Sequence, residues 1–324
     1  MNINIKANNQ LYESVYRVLI DEMLISAGDN VRIENIYPTK RNGKIIYHHI
    51  ITSEKDNKKY LLRTIKEKDY SYLMTRYLIN LNSLSGYNRF SCALTPPFSI
   101  NNNSYIITSF IDGVDLETLI NKLDDNELQE ISMKLENSLN LLHNVTNDKY
   151  SNFPDSDCCS FADIMFNKIK TQSNNKYNIF LKKVNKNKLL NSIYEILLES
   201  SFTKPTLLHM DITPKNIIYS EDRKICLIDF ELSRFGDLDY EWTNILIKLL
   251  CTDNEKYKQY ILMPIINNNF MPMHKALHIN KCKVYLLYLA INKYIYSTLC
   301  DLECPQQIIE LASYLVDHLA DSAS

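Results

Sequence analysis

The chain has 324 residues, of which 45% are hydrophobic, and its formal net charge is −2 at pH 7. This length and apolar content are ample for two lobes with separate hydrophobic cores. The near-neutral charge excludes a strongly basic surface, so neither nucleic acid nor an anionic membrane is expected as a partner. The longest apolar-looking region, residues 284–300, contains Asn292-Lys293 and is too polar to span a membrane.

The cysteine pattern indicates a reducing compartment. None of the eight cysteines forms a C-x-x-C pair, which argues against a zinc ribbon and against a redox motif. Residues 1–6 show no signal-peptide pattern. The protein is therefore expected in the cytoplasm, with free thiols.

The first third of the chain is predicted to be rich in strands. A helical period over residues 11–25 is followed by β-like runs at 31–37, 44–52 and 59–65. Asn42-Gly43 lies between the first two runs and is a strong hairpin signal. Two further strands are predicted on either side of residues 101–103.

From Leu116 onward the apolar spacing becomes mostly helical. The predicted helices cover residues 161–169, 175–200, 242–250, 256–266, 281–299 and 305–319, after a helix that contains Leu135 and Leu139. The pattern therefore predicts an α+β protein, with a small β-rich part followed by a larger helical part.

The strongest functional pattern lies between residues 207 and 231. His209, Asp211 and Asn216 follow the spacing H-x-D-x4-N, and Asp229-Phe230 comes thirteen residues after Asn216. Two carboxylates and an amide suit a magnesium–nucleotide site, because Mg²⁺ prefers hard oxygen ligands.

The segment between these motif residues is predicted to be a β-hairpin. Short apolar runs at 216–219 and 225–228 flank the polar turn 220–224. A hairpin places the residues before its first strand beside those after its second strand. Asp211, Asn216 and Asp229 are therefore predicted to converge.

Three stretches together resemble the aminoglycoside phosphotransferase family. They are His209-Met-Asp-Ile-Thr-Pro-Lys-Asn216-Ile-Ile, Ile228-Asp-Phe-Glu231 and Phe235-Gly-Asp-Leu-Asp-Tyr-Glu-Trp242. In the third stretch, Leu238 and Glu241 depart from the family's usual Pro and Asp. The resemblance implies a protein-kinase-like two-lobe fold, with a nucleotide-binding N-lobe over residues 1–110 and a helical C-lobe over 111–324 that carries the catalytic loop and acceptor site.

The resemblance also implies a role for individual residues. Asp211 would be the catalytic base, while Asn216 and Asp229 would bind Mg²⁺. The cofactor would be Mg²⁺, with ATP or GTP as co-substrate. Arg63 would contact the phosphates, and the backbone of Ser109, Phe110 and Ile111 would contact the adenine. His209 would brace the loop, and Glu231 would face either a substrate amine or solvent.

The nucleotide-binding part departs from the family in three ways. The expected Gly-rich loop is reduced to Gly43, and Arg63 replaces the usual strand lysine. Arg can bind phosphate, but it is not a neutral replacement for Lys. The helix predicted over 69–84 contains no Glu to pair with this cation.

The predicted function is an ATP- or GTP-dependent O-phosphotransferase acting on a small-molecule hydroxyl, with an aminoglycoside or similar antibiotic as the first choice. Residues 201–241 hold eight acidic and five basic side chains, and this excess favours a cationic acceptor. Two alternatives stay open. One is a housekeeping kinase for choline or ethanolamine, homoserine or a sugar, and the other is a catalytically silent kinase-fold binding module.

Overall fold

The computed structural model describes residues 5–35, 39–41, 44–66, 84, 89–100, 103–148, 150, 160–182, 184–199, 204–269 and 276–321. The chain forms two compact units. The first comprises Met1–Val114 and Ile218–Glu231, and the second comprises Asp115–Ile217 and Leu232–Ser324. The hairpin segment predicted from the motif therefore belongs mainly to the first unit, although the chain reaches it from the second.

An antiparallel sheet forms most of the first unit. Its strand order is β1-β3-β4-β6-β5, and β2 also pairs with β3. The predicted strand runs are confirmed, and the short β2 was not anticipated. The elements are α1 (Ile5–Asp21), β1 (Val31–Asn35), β2 (Thr39–Arg41), β3 (Lys44–Ser53), β4 (Lys59–Lys66), β5 (Phe98–Ile100) and β6 (Asn103–Ser109).

Helix α1 packs on one face of this sheet. Val15 and Leu19 are fully buried in one cluster with Ile51, Leu62 and Ile107. Burying each of these side chains stabilises the fold by roughly 1.5–3 kcal/mol before entropy losses. The Asn42-Gly43 turn and residues 69–83 of the predicted helix lie outside the described residues.

The predicted hairpin is present as β9 (Ile217–Tyr219) and β10 (Ile225–Leu227). With β7 (Val114–Asp115) it makes a three-stranded sheet in the order β10-β9-β7. Backbone hydrogen bonds of 2.9 Å join Leu227 to Arg89 and to Ser91. These bonds attach β10 to a separate segment of the same unit.

Gly113 permits a close approach to this hairpin. Its φ is +154°, and a Cβ at this position would lie 2.5 Å from the carbonyl oxygen of Tyr219 and 2.7 Å from a side-chain carbon of Ile218. No side chain fits in that space. Glycine is therefore required where the chain leaves the first unit.

Helices form most of the second unit. They are α2 (Leu116–Leu119), α3 (Asp125–His143), α4 (Phe161–Ser173), α5 (Lys186–Glu199), α6 (Leu238–Cys251), α7 (Met263–Asn269), α8 (Ala276–Leu299) and α9 (Gln306–Asp321). A short antiparallel pair, β8 (Thr206–Leu208) and β11 (Arg234–Gly236), accompanies them. The core is built mainly from α4, α5, α8 and α9. The predicted α+β class is confirmed.

Two helix predictions need correction. The helix predicted over 175–200 begins only at Lys186, because the Asn178 side chain accepts the backbone N–H groups of Phe180 and Leu181 at 3.2 and 3.4 Å. Such local side-chain bonds compete with helix formation. The region predicted over 256–266 contains a π-helix, Tyr257–Leu262, followed by α7. Among the described residues, no helix is both long and apolar enough to cross a membrane.

A buried ion cluster links α6 to α8 inside the second unit. Lys281 Nζ lies 2.7 Å from Asp237 Oδ2 and 2.6 Å from Asp239 Oδ2, and the lysine is 1% exposed. Tyr285 donates its hydroxyl hydrogen to Asp237 Oδ2 at 3.1 Å. Burial lowers the pKa of the Lys281 ammonium, but the two carboxylates outweigh burial and raise it. Lys281 is therefore charged and paired in the core.

Candidate active site

The loop between β8 and β9 carries the first half of the motif. Asn216 Nδ2 donates to the backbone oxygen of Asp211 at 2.9 Å and to Asp211 Oδ2 at 3.0 Å. These bonds hold the Asp211 carboxylate against the loop's own backbone. They also engage the amide nitrogen of Asn216, so its side-chain oxygen is the atom suited to a metal ion.

His209 supports this loop from inside the second unit. Its side chain is completely buried, and its Nδ1 accepts the backbone N–H of Asp211 at 3.2 Å. The position agrees with the bracing role predicted for His209, which stays a prediction.

The second half of the motif lies in the first unit. Asp229 follows β10, and its Oδ1 is 2.9 Å from Arg63 Nη1 on β4. Both side chains are 19% exposed. The structure thus brings together the residue predicted to clamp phosphate and a residue predicted to bind metal.

His48 lies beside Arg63, because the two residues are partners in the β3–β4 register. Burial and the nearby Arg63 charge lower the pKa of His48 to about 4. The imidazole is consequently neutral at pH 7 and adds no second positive charge beside Arg63, which is paired with Asp229.

The backbone is strained next to both predicted catalytic and metal-binding carboxylates. Met210 has φ = 67° and Asp229 has φ = 64°, a left-handed conformation that is uncommon for residues other than glycine. Such strain persists only where surrounding contacts enforce it, and it clusters at functional sites. Its position directly before Asp211 and at Asp229 marks both as candidate functional residues.

The segment predicted to contact adenine follows β6. The N–H of Ser109 donates to the carbonyl oxygen of Cys92 at 2.9 Å, and its carbonyl accepts from Ser91 Oγ at 3.0 Å. The Ser109 backbone is therefore already engaged in the sheet edge. The N–H and C=O groups of Phe110 and Ile111 remain the stronger candidates for the adenine edge.

A family model described as the phosphotransferase enzyme family matches residues 97–256. This range, about half of the chain, contains Asp211, Asn216 and Asp229. The chain matches this phosphotransferase family over those residues. The enzyme class predicted from the sequence is confirmed at that level. A search of curated protein sequences finds no significant match.

Solved structures share the fold of this phosphotransferase at low sequence identity. The aminoglycoside phosphotransferase APH(4)-Ia is 16% identical, with 96% of this chain and 99% of that chain covered and a TM-score of 0.59. A thermostable mutant of it, in a ternary complex with AMP-PNP and hygromycin B, is 14% identical, with 94% and 97% covered and a TM-score of 0.59. The Plasmodium vivax ethanolamine kinase is 16% identical, with 97% and 90% covered and a TM-score of 0.53. The protein-kinase-like fold is thereby confirmed.

Sequence reasoning missed how one face of α6 holds the candidate catalytic loop that contains His209, Met210 and Asp211. Glu241 accepts the backbone N–H groups of His209 and Met210 at 2.6 and 2.8 Å. Asn244 Nδ2 donates to the backbone oxygen of Met210 at 2.7 Å. One turn further along the helix, Lys248 Nζ lies 2.7 Å from Asp211 Oδ1.

Residues at positions 241, 244 and 248 share a face because their spacing of three and four matches the helical period. The recognised Gly-Asp-x-x-Tyr-Glu stretch ends at Glu241, which is the first of these three positions. The spacing is the signal that could have identified Asn244 and Lys248 from the sequence.

Glu241 is ionised despite complete burial. Burial raises the pKa of this carboxyl, but His143, His209 and the Met210 N–H outweigh it and bring the pKa below its ordinary value. His143 Nε2 lies 3.5 Å from Glu241 Oε2, and its ring stands edge-on to Trp242 with centroids 4.9 Å apart. The family's usual Asp is thus replaced by a longer carboxylate that still anchors the loop.

The predicted metal ligands have the right chemistry for Mg²⁺. The Asp229 carboxylate and the Asn216 amide oxygen are hard oxygen donors, and the Asn216 nitrogen is occupied by Asp211. These two residues would hold the ion, although their convergence stays a prediction. The side chain of Glu231 lies outside the described residues.

Proposed function

We propose that this phosphotransferase transfers the γ-phosphoryl group of ATP or GTP to a hydroxyl group of a small molecule. The observation that carries the proposal is the arrangement around Asp211, whose carboxylate is held by Asn216 and Lys248 within a loop braced by Glu241. A carboxylate fixed in this way can orient a hydroxyl and accept its proton.

Positioning contributes most of the rate in phosphoryl transfer, since the transition state is loose and the charge lies mainly on phosphate oxygens. Asp211 would align the acceptor oxygen with the γ-phosphorus and take up its proton as the new O–P bond forms and the bond to the leaving diphosphate breaks. Asn216 and Asp229 would hold Mg²⁺, whose positive charge would offset the charge on the phosphates.

We assign nucleotide binding to the first unit and acceptor binding to the second, in line with the division predicted at residues 110 and 111. Arg63 would contact the phosphates, and Phe110 and Ile111 would contact the adenine. Nucleotide availability favours the cytoplasm as the compartment. The intact set of Asp211, Asn216 and Asp229 argues against a silent binding module.

The acceptor class has two supported candidates. An aminoglycoside is supported by the shared fold of APH(4)-Ia, one mutant of which was solved with hygromycin B. A housekeeping amino alcohol is supported by the shared fold of the ethanolamine kinase. A screen of nucleotide consumption against aminoglycosides, amino alcohols, homoserine and sugars separates them.

Asp229→Ala tests the nucleotide site. We expect ATP to bind about tenfold or more weakly in the presence of Mg²⁺, because the variant loses a charged metal ligand. Calorimetry with and without EDTA measures the effect, and chelation should no longer alter affinity in the variant. Asp56→Ala, at an exposed turn of the same unit, is the matched control. Magnesium-dependent binding that survives in Asp229→Ala contradicts the metal assignment.

Arg63→Ala tests the phosphate clamp. A lost charge-assisted hydrogen bond costs roughly 1.5–3 kcal/mol, so the affinity for ATP should fall by roughly 10- to 150-fold. Lys58→Ala is the control, since Lys58 pairs with Asp56 in the exposed turn. Lys59 is unsuitable, because it contacts Asp112 and lies 5.5 Å from the ring centroid of Phe110. Equal, small effects of both changes would mean that another cation binds the phosphates.

A further inference from the structure

The backbone carbonyl groups on both sides of Asp211 accept hydrogen bonds from the side chains of other elements. Before it, the oxygen of Met210 accepts from Asn244 Nδ2 on α6 at 2.7 Å. After it, the oxygen of Ile212 accepts the hydroxyl hydrogen of Tyr257 at 3.2 Å. Asp211 is therefore held through both of its neighbours, by two separate helical segments of the second unit.

Tyr257 is buried and keeps its proton. Its side chain is 2% exposed, and its acceptor residue Ile212 is 0% exposed. Burial raises the pKa of the Tyr257 hydroxyl above its ordinary value, and the nearby charge of Asp211 raises it further. The hydroxyl is therefore a donor at every pH near neutrality. A buried bond of this kind favours one conformation of the loop, because breaking it leaves polar atoms away from water.

Tyr257 is also the first residue of the π-helix, Tyr257–Leu262. The backbone N–H of Met263 donates to the carbonyl oxygen of Lys258, which is the five-residue spacing of a π-helical bond. The start of the helix is fixed by Asn254, whose side-chain oxygen accepts the Tyr257 N–H at 3.0 Å. π-Helical turns are rare and occur frequently at functional sites. Here the rare geometry begins at the residue that contacts the candidate catalytic loop.

The loop needs such contacts because its backbone is strained. Met210, directly before Asp211, has φ = 67°, and residues other than glycine keep this conformation only where surrounding contacts enforce it. Glu241 and Asn244 supply two of these contacts from α6. Tyr257 supplies another on the far side of Asp211 in the chain. The position of the Asp211 carboxylate thus depends on both helical segments.

We propose that Tyr257 is a positioning residue for phosphoryl transfer. The inference rests on the proposed role of Asp211 as the base. By fixing the Ile212 carbonyl, the Tyr257 hydroxyl keeps the Asp211 carboxylate where it aligns the acceptor hydroxyl with the γ-phosphorus. A small displacement of such a group lowers the rate strongly, because positioning contributes most of the rate in this chemistry. Tyr257 acts through the loop rather than on the reacting atoms.

Tyr257→Phe tests the inference, because it removes the hydroxyl and keeps the buried ring. Backbone amide hydrogens of residues 207–217 should exchange roughly 3- to 10-fold faster, since the loop loses a bond that opposes its local opening. This exchange is measured by mass spectrometry on the nucleotide-free protein. With hygromycin B and with ethanolamine as acceptors, kcat should fall about tenfold, while the KM for ATP stays unchanged.

Tyr60→Phe is the matched control. Tyr60 is 5% exposed and lies in the core of the first unit, where its hydroxyl donates to the backbone oxygen of Leu24 at 2.7 Å. The control therefore loses the same kind of bond, from a buried tyrosine to a carbonyl. It should leave kcat and the exchange of residues 207–217 at their wild-type values.

Faster exchange of residues 207–217 in Tyr257→Phe, together with the fall in kcat, supports the inference. Unchanged exchange there, an equal rise in α8, or a loss of kcat no larger than in Tyr60→Phe overturns it, since a purely structural tyrosine would give these results. Failure of the proposed function appears instead as wild-type protein that consumes no ATP with any acceptor of the screen. The exchange comparison does not depend on that result, and it then decides by itself whether Tyr257 holds the loop.

Discussion

Asp211→Asn should lower kcat by about 10²–10⁴-fold on any hydroxyl acceptor that the wild-type protein phosphorylates. The asparagine keeps the shape of the side chain and some hydrogen bonding, but it cannot accept the proton of the acceptor hydroxyl. Nucleotide affinity should stay nearly unchanged, since Asp229 and Arg63 are untouched. A fall in kcat without a loss of ground-state binding indicates a group that acts mainly in the transition state.

The measurement combines steady-state turnover with calorimetry for Mg–ATP. Asp253→Asn is the control, because this carboxylate is exposed on the same unit. Asp211→Asn also leaves Lys248 without its partner, so the double variant Asp211→Asn/Lys248→Gln checks that the loss does not come from an unpaired charge. Near-full turnover by Asp211→Asn would refute the mechanism and favour the binding-module alternative.

Lys281→Met should destabilise the second unit by about 3–5 kcal/mol, because it leaves two carboxylates without their buried counter-ion. Asp237 and Asp239 begin helix α6, and Asp237 also accepts the backbone N–H of Asp239 at 2.9 Å. The same helix holds the candidate catalytic loop through Glu241. The loss should therefore also reduce turnover in the fraction that stays folded.

Urea unfolding monitored by circular dichroism measures this effect, with a second probe to test whether the two units unfold together. Lys283→Met is the matched control. Lys283 lies two residues further along α8, is partly exposed, and contacts His318 at the surface. Its loss should cost less than about 1 kcal/mol. Equal destabilisation by the two variants would show that the buried cluster contributes no more to the free energy of unfolding than the contact of Lys283.

Much of the fold was predictable because its signals are local. The alternating strands around Arg63 and the hairpin between Asn216 and Asp229 depend on side-chain periodicity and turn residues, which act over a few positions. The helix predicted over 175–200 was placed too early in the chain, because the Asn178 side chain accepts two backbone N–H groups that a helix would otherwise use. The π-helix at Tyr257–Leu262 has no comparable sequence signal.

By itself the sequence determined the identity of the motif residues, the α+β class and the family of this phosphotransferase, since all three depend on residue type and spacing along the chain. Only the tertiary structure decided which charges remain at the surface. It brought Lys248 to Asp211 across 37 positions and Arg63 to Asp229 across 166, and it buried Asp237 and Asp239 on Lys281. Coulomb interactions depend on distance and solvent exposure. A count of charges along the chain gives neither the distances nor the solvent exposures. Both quantities determine which charged groups a bound acceptor would meet.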